Sequence, residues 1–370
     1  MSTLPQTLDL PPLARAAHAS HCNRCLSGLP NSQVDTDASR LAVGFYCIGS
    51  LDILGLLEEK TTVTDRESWR EWIWEQQTNG RYGSGFRPGP YMSTSERPNE
   101  NYTNYDTPHI IMTYTALLSL AILRDDFSRL NRSGLVSFIR ACQRDDGSFS
   151  TVPGSNESDL RTFYCAFAIS FMLNDWSGVD IPRAIAFVSS CRTYEGGYGQ
   201  APFCEAQGGT TYTAIASLYL APRISQSSPL TLAERQATIR WLLQNQDKSG
   251  GFCGRTNKDA DACYCFWCGA SLQILGAKEY VNTIGMAKFL AKCQFKYGGI
   301  AKAPGEHPDP YHTYLSLAAL SMYSPGSNST HPNFASWKFE PLDPLLNSKQ
   351  ATAEWAMTYI PVRRAQVPSC

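Results

Sequence analysis

A helix that is apolar on every side must be buried on every side, and this chain carries six segments of that kind. They read RLAVGFYCIGSLDIL, HIIMTYTALLSLAIL, TFYCAFAISFML, TYTAIASLYLA, CYCFWCGASLQIL and TYLSLAALSM. Between them run helices of a second kind, amphipathic rather than apolar. In one of these Leu232, Ile239, Leu242 and Leu243 share a face, while Glu234, Arg235 and Arg240 are polar. The amphipathic helices end in a recurring phrase: a Gln or Cys, a glycine turn, then an aromatic or aliphatic residue. It appears as FIRACQRDDGSF, FVSSCRTYEGGYG, WLLQNQDKSGGFCG and FLAKCQFKYGGIAK, with a looser copy in WIWEQQTNGRYGSGF. The anchors Phe149, Tyr198, Phe252 and Ile300 recur about every 50 positions, the length of two helices with their loops.

This pattern predicts an all-α protein, an α/α barrel (toroid) of about six helix pairs, with inner helices wrapped by outer ones. A four-helix bundle cannot hold so many buried helices, and the inner helices of an open solenoid would be less uniformly apolar. One domain is expected over 1–370, with a peripheral N-terminal segment about 1–20 and a peripheral C-terminal tail about 325–370. Clusters of Pro, Ser and Asn near 222–231 and 324–346 read as surface loops.

With 32 basic and 33 acidic residues the net charge is −1, so no global field draws the chain to nucleic acid or to a membrane surface. No apolar stretch is long enough to predict a membrane span, and MSTLPQTLDLPP lacks the pattern of a signal peptide. The 13 cysteines, many inside apolar runs, suit a reduced, cytoplasmic protein better than a disulfide framework. The sequence ends VPSC, with Cys370 last. A prenyl acceptor needs its cysteine fourth from the end, so this chain is not expected to be one.

Polar residues out of keeping with the apolar runs stand at the starts of the inner helices. His109 opens one, Arg161 the next, Gln207 precedes the third, Asp261 and Cys263 open the fourth, and His312 the last. If the inner helices are parallel, these starts gather at one rim, where free N–H groups favour anions. Asp261, Cys263 and His312 offer a carboxylate, a thiolate and an imidazole, three protein ligands of the kind that leave a catalytic zinc one open position. By itself Asp-x-Cys also reads as a helix cap followed by a buried cysteine. A four-thiolate site from Cys253, Cys263, Cys265 and Cys268 is disfavoured, because 263, 265 and 268 point to different helix faces. Arg255 and Lys258 lie on the loop feeding the Asp261 helix, and Lys302 on the corresponding loop before His312. They are either solvated loop charges or a diphosphate site built without a glycine-rich phosphate loop.

The stretches GFCGRTNKDADACYCFW, HPDPYHTYLSLAAL, LRTFYCAFAISFMLNDWSG and EAQGGTTYTAIASL resemble the β subunits of the protein prenyltransferases, from about residue 30 to residue 325. Within that family the resemblance is strongest to the geranylgeranyltransferase type I branch. It implies a barrel paired with a helical α subunit, a Zn2+ held by Asp261, Cys263 and His312, and Arg255, Lys258 and Tyr264 on the diphosphate. It implies Tyr164 and Trp267 along the isoprenoid, and His109 and Arg161 near the end of the acceptor peptide. Farnesyl enzymes carry an aspartate that helps hold magnesium where this chain has Lys302, so no Mg2+ requirement is expected. They carry a tryptophan where it has Ala42, which leaves room for a fourth isoprene unit, with Tyr46 bounding the pocket one turn on. Gln207 departs from the family's histidine and cannot carry its charge; Tyr311 and Leu315 also depart from the type I pattern.

The expected reaction transfers geranylgeranyl from geranylgeranyl diphosphate to the cysteine of a C-terminal CaaX motif, in proteins such as small GTPases. A farnesyltransferase fits Lys302 and Ala42 less well, and the Rab-specific relative fits Lys302 less well. A terpene cyclase would need an aspartate cluster, for which only Asp259-Ala260-Asp261 is available. A non-catalytic toroid would have lost ligands that are here in place.

Overall fold

The computed structural model describes residues 10–90, 106–222, 228–325 and 332–361. Cys370 lies outside them, as does part of the loop at 222–231. Six inner helices follow the apolar runs: α2 (Arg40–Ile53), α5 (Ile110–Ile122), α7 (Leu160–Leu173), α9 (Gly208–Leu220), α11 (Ala262–Ile274) and α13 (Pro310–Met322). Each packs on the next, and α13 packs back on α2, so the inner ring closes. Each inner helix is preceded by an outer one: α1 (Arg15–Ser27), α4 (Val63–Trp74), α6 (Arg132–Cys142), α8 (Ile181–Ser190), α10 (Leu232–Gln244) and α12 (Thr283–Cys293). A one-turn helix, α3 (Leu57–Lys60), joins α2 to α4, and a hairpin of β1 (Gln77–Gly80) and β2 (Gly83–Phe86) follows α4.

Side-chain caps start many of the outer helices: Thr62, Asn131, Asp180, Thr231 and Asn282 each accept a hydrogen bond from a backbone N–H of the first turn. The glycine turns then lock each repeat to its neighbour. Gly250 has φ +91°, and a Cβ there would lie 2.1 Å from the carbonyl carbon of Gly285 on α12. Gly298 has φ +93°, and its Cβ would lie 1.9 Å from the carbonyl oxygen of Ala17 on α1. Only a residue without a side chain fits such an approach with such a φ. The contact of Gly298 with Ala17 seats the last repeat on the first helix and closes the outer ring.

The anchors after these turns are tied to the inner helices by one repeated bond. The backbone N–H of Phe86, Tyr198 and Ile300 donates to Thr113, Thr211 and Thr313, each four residues past its helix cap. On α11 that position is Cys265, whose sulfur is bonded to the backbone of Phe252. This buried cysteine therefore replaces a threonine in the packing, against the four-thiolate alternative.

The ends of the chain differ from expectation. The segments expected to be peripheral are packed into the core: Leu10, Leu13 and His18 on one side, and Trp337, Leu346 and Ile360 on the other, are buried. A 3-10 segment at Pro332–Trp337, a short hairpin of β3 (Leu342–Asp343) and β4 (Ser348–Lys349), and α14 (Gln350–Tyr359) make up the tail. Its turn is held inside the barrel by four tyrosines of four inner helices. Tyr212 donates to the carbonyl of Pro344 (3.0 Å), Tyr164 to Leu345 (2.8 Å), Tyr114 to Leu346 (2.8 Å) and Tyr314 to Asn347. The physical reason is polar: a closed ring of apolar helices leaves buried tyrosine hydroxyls that need acceptors, and the tail supplies four carbonyls.

Candidate active site

The inner helices all begin at one rim. The cap positions of five of the six are His109, Asp159, Gln207, Asp261 and Asp309, on α5, α7, α9, α11 and α13. A second ladder joins this rim. The first N–H of α5, α7, α9 and α11 donates to the carbonyl of Thr151, Gln200, Gly254 and Lys302 in turn, at 2.8–3.3 Å. Each loop is thereby laid over the start of the preceding inner helix. The ladder sets the Arg255 loop beside Gln207 and the Lys302 loop beside Asp261. α13 begins with Pro310, which has no N–H to give.

Asp261, Cys263 and His312 converge as expected, with one donor atom from each lying within 4.8 Å of the others. Asp261 caps α11, its Oδ1 accepting the N–H of Cys263 at 2.9 Å, and lies 3.4 Å from His312 Nε2. Asp309, which the sequence reading passed over, orients the imidazole. Its carboxylate takes the N–H of His312 at 2.8 Å and contacts Nδ1 at 2.6 Å, which turns Nε2 toward Asp261 and Cys263. The Asp-Pro-Tyr-His spacing, a cap three residues before the histidine, was the available signal.

Burial and mutual contact shift all three groups of this cluster. Burial, then the neighbouring Asp261, pushes the Cys263 thiol well above its ordinary value. Burial lowers His312, but bonds to Asp261 and Asp309 outweigh it and raise the imidazole to about 9. Burial works to raise Asp261, yet His312 and the Cys263 N–H hold it below the usual carboxylate value. An oxygen, a sulfur and a nitrogen donor, largely shielded and with one orienting carboxylate, fit a divalent metal that relieves the repulsion between carboxylate and thiolate. These bonds engage Asp261, while Asp259 is exposed, an arrangement that does not suit the paired aspartates of a cyclase acid.

The cationic residues line the adjoining loops. Arg255 pairs with Glu205 at 3.0 Å, a partner that sequence reading did not anticipate, while Lys258 and Lys302 are exposed. Gln207 stands at the cap position of α9 but its side chain makes no cap hydrogen bond, and its side-chain oxygen lies beside Gly209. Tyr264 occupies a slot between two glycines: a Cβ at Gly254 would meet its hydroxyl at 2.6 Å, and one at Gly208 its ring at 2.9 Å. Arg161 is exposed and bonded through Nε and Nη2 to Asp159, which also accepts from Gln200 at 3.0 Å. His109 accepts the N–H of Ile111, and burial, then the charge of Arg161, lowers it to about 4, so it is neutral near pH 7.

Below the rim, aromatic rings form a closed belt. Trp267 contacts Tyr212, Tyr212 contacts Tyr164, Tyr164 contacts Tyr114, and Tyr114 reaches Phe45. Phe45 leads to Tyr46, Tyr46 to Tyr311, and the Tyr311 hydroxyl accepts from Trp267 Nε1 at 3.1 Å. Tyr46, Tyr164 and Trp267 all belong to this belt. Ala42 is buried one turn before Tyr46. The hydroxyl of Tyr311 also bonds Cys263, joining the belt to the Asp261–Cys263–His312 cluster.

The sequence matches the prenyltransferase alpha-alpha toroid domain over residues 13–348, and the chain belongs to that family. Within it, two curated relatives are β subunits of geranylgeranyl transferase type-1. The Arabidopsis thaliana protein is 35% identical, covering 80% of either chain. The Dictyostelium discoideum protein is 37% identical, covering 82% of this chain and 89% of its own. Among solved structures, Candida albicans protein geranylgeranyltransferase-I complexed with GGPP superposes with a TM-score of 0.82 at 26% identity, covering 94% of this chain and 99% of that one.

Proposed function

We propose that this chain is the catalytic β subunit of a zinc-dependent protein geranylgeranyltransferase of type I. Its reaction moves geranylgeranyl from the diphosphate to the cysteine thiol of a C-terminal CaaX motif, often with Leu last, in proteins such as small GTPases. The observation that carries this reading is the Asp261–Cys263–His312 cluster set beside two cationic loops at the mouth of an aromatic-lined barrel. The two type-1 relatives support the branch.

Asp261, Cys263 and His312 would hold Zn2+, which supplies the positive charge that keeps an incoming thiol ionised at neutral pH. The chain's residues do the rest. The acceptor sulfur attacks C1 of the isoprenoid, the C1–O bond breaks, and charge builds on the departing diphosphate. Arg255, Lys258, Tyr264, Gln207 and Lys302 stabilise that charge as it forms. Lys302 stands where a magnesium-binding aspartate would make Mg2+ necessary. Ala42 and Tyr46, with Tyr164 and Trp267, shape the lipid wall, and the apolar wall keeps water from competing with sulfur. His109, neutral, and Arg161, exposed at the rim, are placed for the acceptor peptide. The α subunit is the expected partner. Among the described residues no helix is long and apolar enough to cross a membrane, and the described cysteines are free thiols, in keeping with a cytoplasmic enzyme.

The test compares transfer of geranylgeranyl and farnesyl to a peptide ending Cys-a-a-Leu by the zinc-loaded chain with its α subunit. No magnesium is added. Preferential geranylgeranyl transfer is expected, and Lys302→Asp is expected to create a magnesium requirement. Farnesyl preference with dependence on magnesium in the unaltered protein would move it to the farnesyl branch. Absence of transfer with either lipid would overturn the assignment.

A further inference from the structure

Where the outer helix α1 packs on α2, the two bring three cysteines and a histidine together. Cys22 and Cys25 lie on α1, Cys47 on α2, and His21 on α1 one turn before Cys25. Cys25 Sγ is 3.8 Å from His21 Nε2 and is hydrogen-bonded to the Cys47 thiol. Cys22 and Cys47 are buried, whereas Cys25 is only partly so. Both Cys25 and Cys47 line a cavity of about 630 Å3 between α1, α2, α4 and the 3-10 segment at Asn31–Ser39. Its wall includes Leu29, Val34, Trp69 and Trp72.

From this geometry we propose that Cys25 and Cys47 form a redox-active thiol pair, a modification site separate from the prenyl-transfer centre, which a small hydroperoxide reaches through the cavity. The pair has the parts such a site requires: a partly buried cysteine on the cavity wall, a second sulfur against it, and a basic side chain in contact. The Cys47 thiol lowers the Cys25 pKa, burial opposes it, and His21 lowers it further, so that Cys25 lies below the ordinary thiol value. Cys47 is pushed well up, chiefly by the same bond, and Cys22, deeper in the core, is pushed by burial to about 12. One thiol of the pair is thereby the nucleophile, and the other remains protonated to follow it.

The chemistry balances with a hydroperoxide as oxidant. The Cys25 thiolate attacks one oxygen of hydrogen peroxide, the O–O bond breaks, and hydroxide leaves and takes up the proton released from Cys25. The product is the Cys25 sulfenic acid. The sulfur of Cys47 then attacks that of Cys25, the S–O bond breaks, and a second water leaves with the Cys47 proton. Two thiols lose two electrons and one peroxide gains them, giving one disulfide and two waters. The new bond staples outer helix α1 to inner helix α2.

The full chain is treated with a stepwise titration of hydrogen peroxide and mapped by mass spectrometry of unreduced peptides. A Cys25–Cys47 linked peptide, two hydrogens lighter than its parts and restored by dithiothreitol, is expected at peroxide levels that leave the exposed Cys204 unmodified. In Cys47→Ser the sulfenic acid of Cys25 should persist and be trapped by dimedone. In Cys25→Ser the linkage should vanish and Cys47 stay unmodified. Oxidation of Cys204 before Cys25, or no linked peptide with Cys25 trapped equally in the presence and absence of Cys47, would overturn the proposal.

Discussion

At the scale of single residues, the site depends on side chains that never meet a substrate. Asp309 is both the cap of α13 and the carboxylate on His312 Nδ1. Removing it frees the imidazole to rotate, so Asp309→Ala should weaken metal binding by about 10–100-fold. Competition with a zinc chelator would measure this, and unchanged affinity would mean that packing alone orients His312. Gln207 poses the converse case, a neutral amide at a cationic rim. If the family's histidine is restored, Gln207→His should tighten lipid diphosphate binding by roughly fivefold, about 1 kcal/mol. Displacement of a fluorescent lipid analogue reads the change, and an unaltered affinity would show that the amide already serves the phosphate equally well.

At the scale of elements, the outer ring is sealed by α1. Gly298 admits no side chain where it meets Ala17, and Gly298→Ala should cost roughly 3 kcal/mol through backbone displacement and a strained φ. A denaturant titration with an unshifted midpoint would contradict that. The same seam holds His18, fully buried, whose Nδ1 accepts the N–H of Gly299 at 2.9 Å while Nε2 donates to Gln294 at 3.0 Å. Burial lowers this histidine to about 4, with the Gln294 bond opposing and the charges of His21 and Arg15 assisting. The folded value lies below the ordinary 6.5, so on acidification the unfolded chain takes up the proton first. The stabilisation is complete above about pH 6.5 and declines toward pH 4, by at most roughly 1.4 kcal/mol per pH unit. Melting temperatures between pH 7 and pH 5 should fall in the wild type. They should fall less steeply in His18→Gln, which starts from a lower stability.

At the scale of the whole molecule, the two ends of the chain finish the barrel together. Trp337 Nε1 donates to the carbonyl of Pro11 at 3.0 Å, and the N–H of Leu13 to Ser336 at 2.9 Å. Asp52 on α2 accepts from Thr352 at 2.8 Å and lies 3.7 Å from Lys349, which fixes the start of α14. A chain stopped after residue 331 would expose the partners of Trp337, Leu346 and Ile360. Its melting temperature should drop by more than about 10 °C, since each large buried apolar side chain contributes about 1.5–3 kcal/mol. Tyr314→Phe, which removes one tether, should cost only about 1 kcal/mol. A truncated chain as stable as the full one would make the tail an appendage.

The inner helices, their order and the glycine turns were legible in the sequence because each is encoded locally. A run such as CYCFWCGASLQIL cannot be stable with any face in water, and a helix cap announces itself by the type of one residue. The meeting of Asp261, Cys263 and His312 could be anticipated for the same reason: donor chemistry belongs to the residue, and each stands at the start of a helix. Asp309 was within reach of the same local reading, since it caps α13 three residues before His312. What joins residues far apart in the chain was decided by the tertiary structure alone. Glu205 meets Arg255 because one loop is laid over the start of the preceding inner helix. Residues 344–346, the end of the stretch 324–346 that reads as a surface loop, are drawn inside with Asn347 because four inner helices converge their tyrosine hydroxyls there, and buried donors require acceptors that only the closed ring could define.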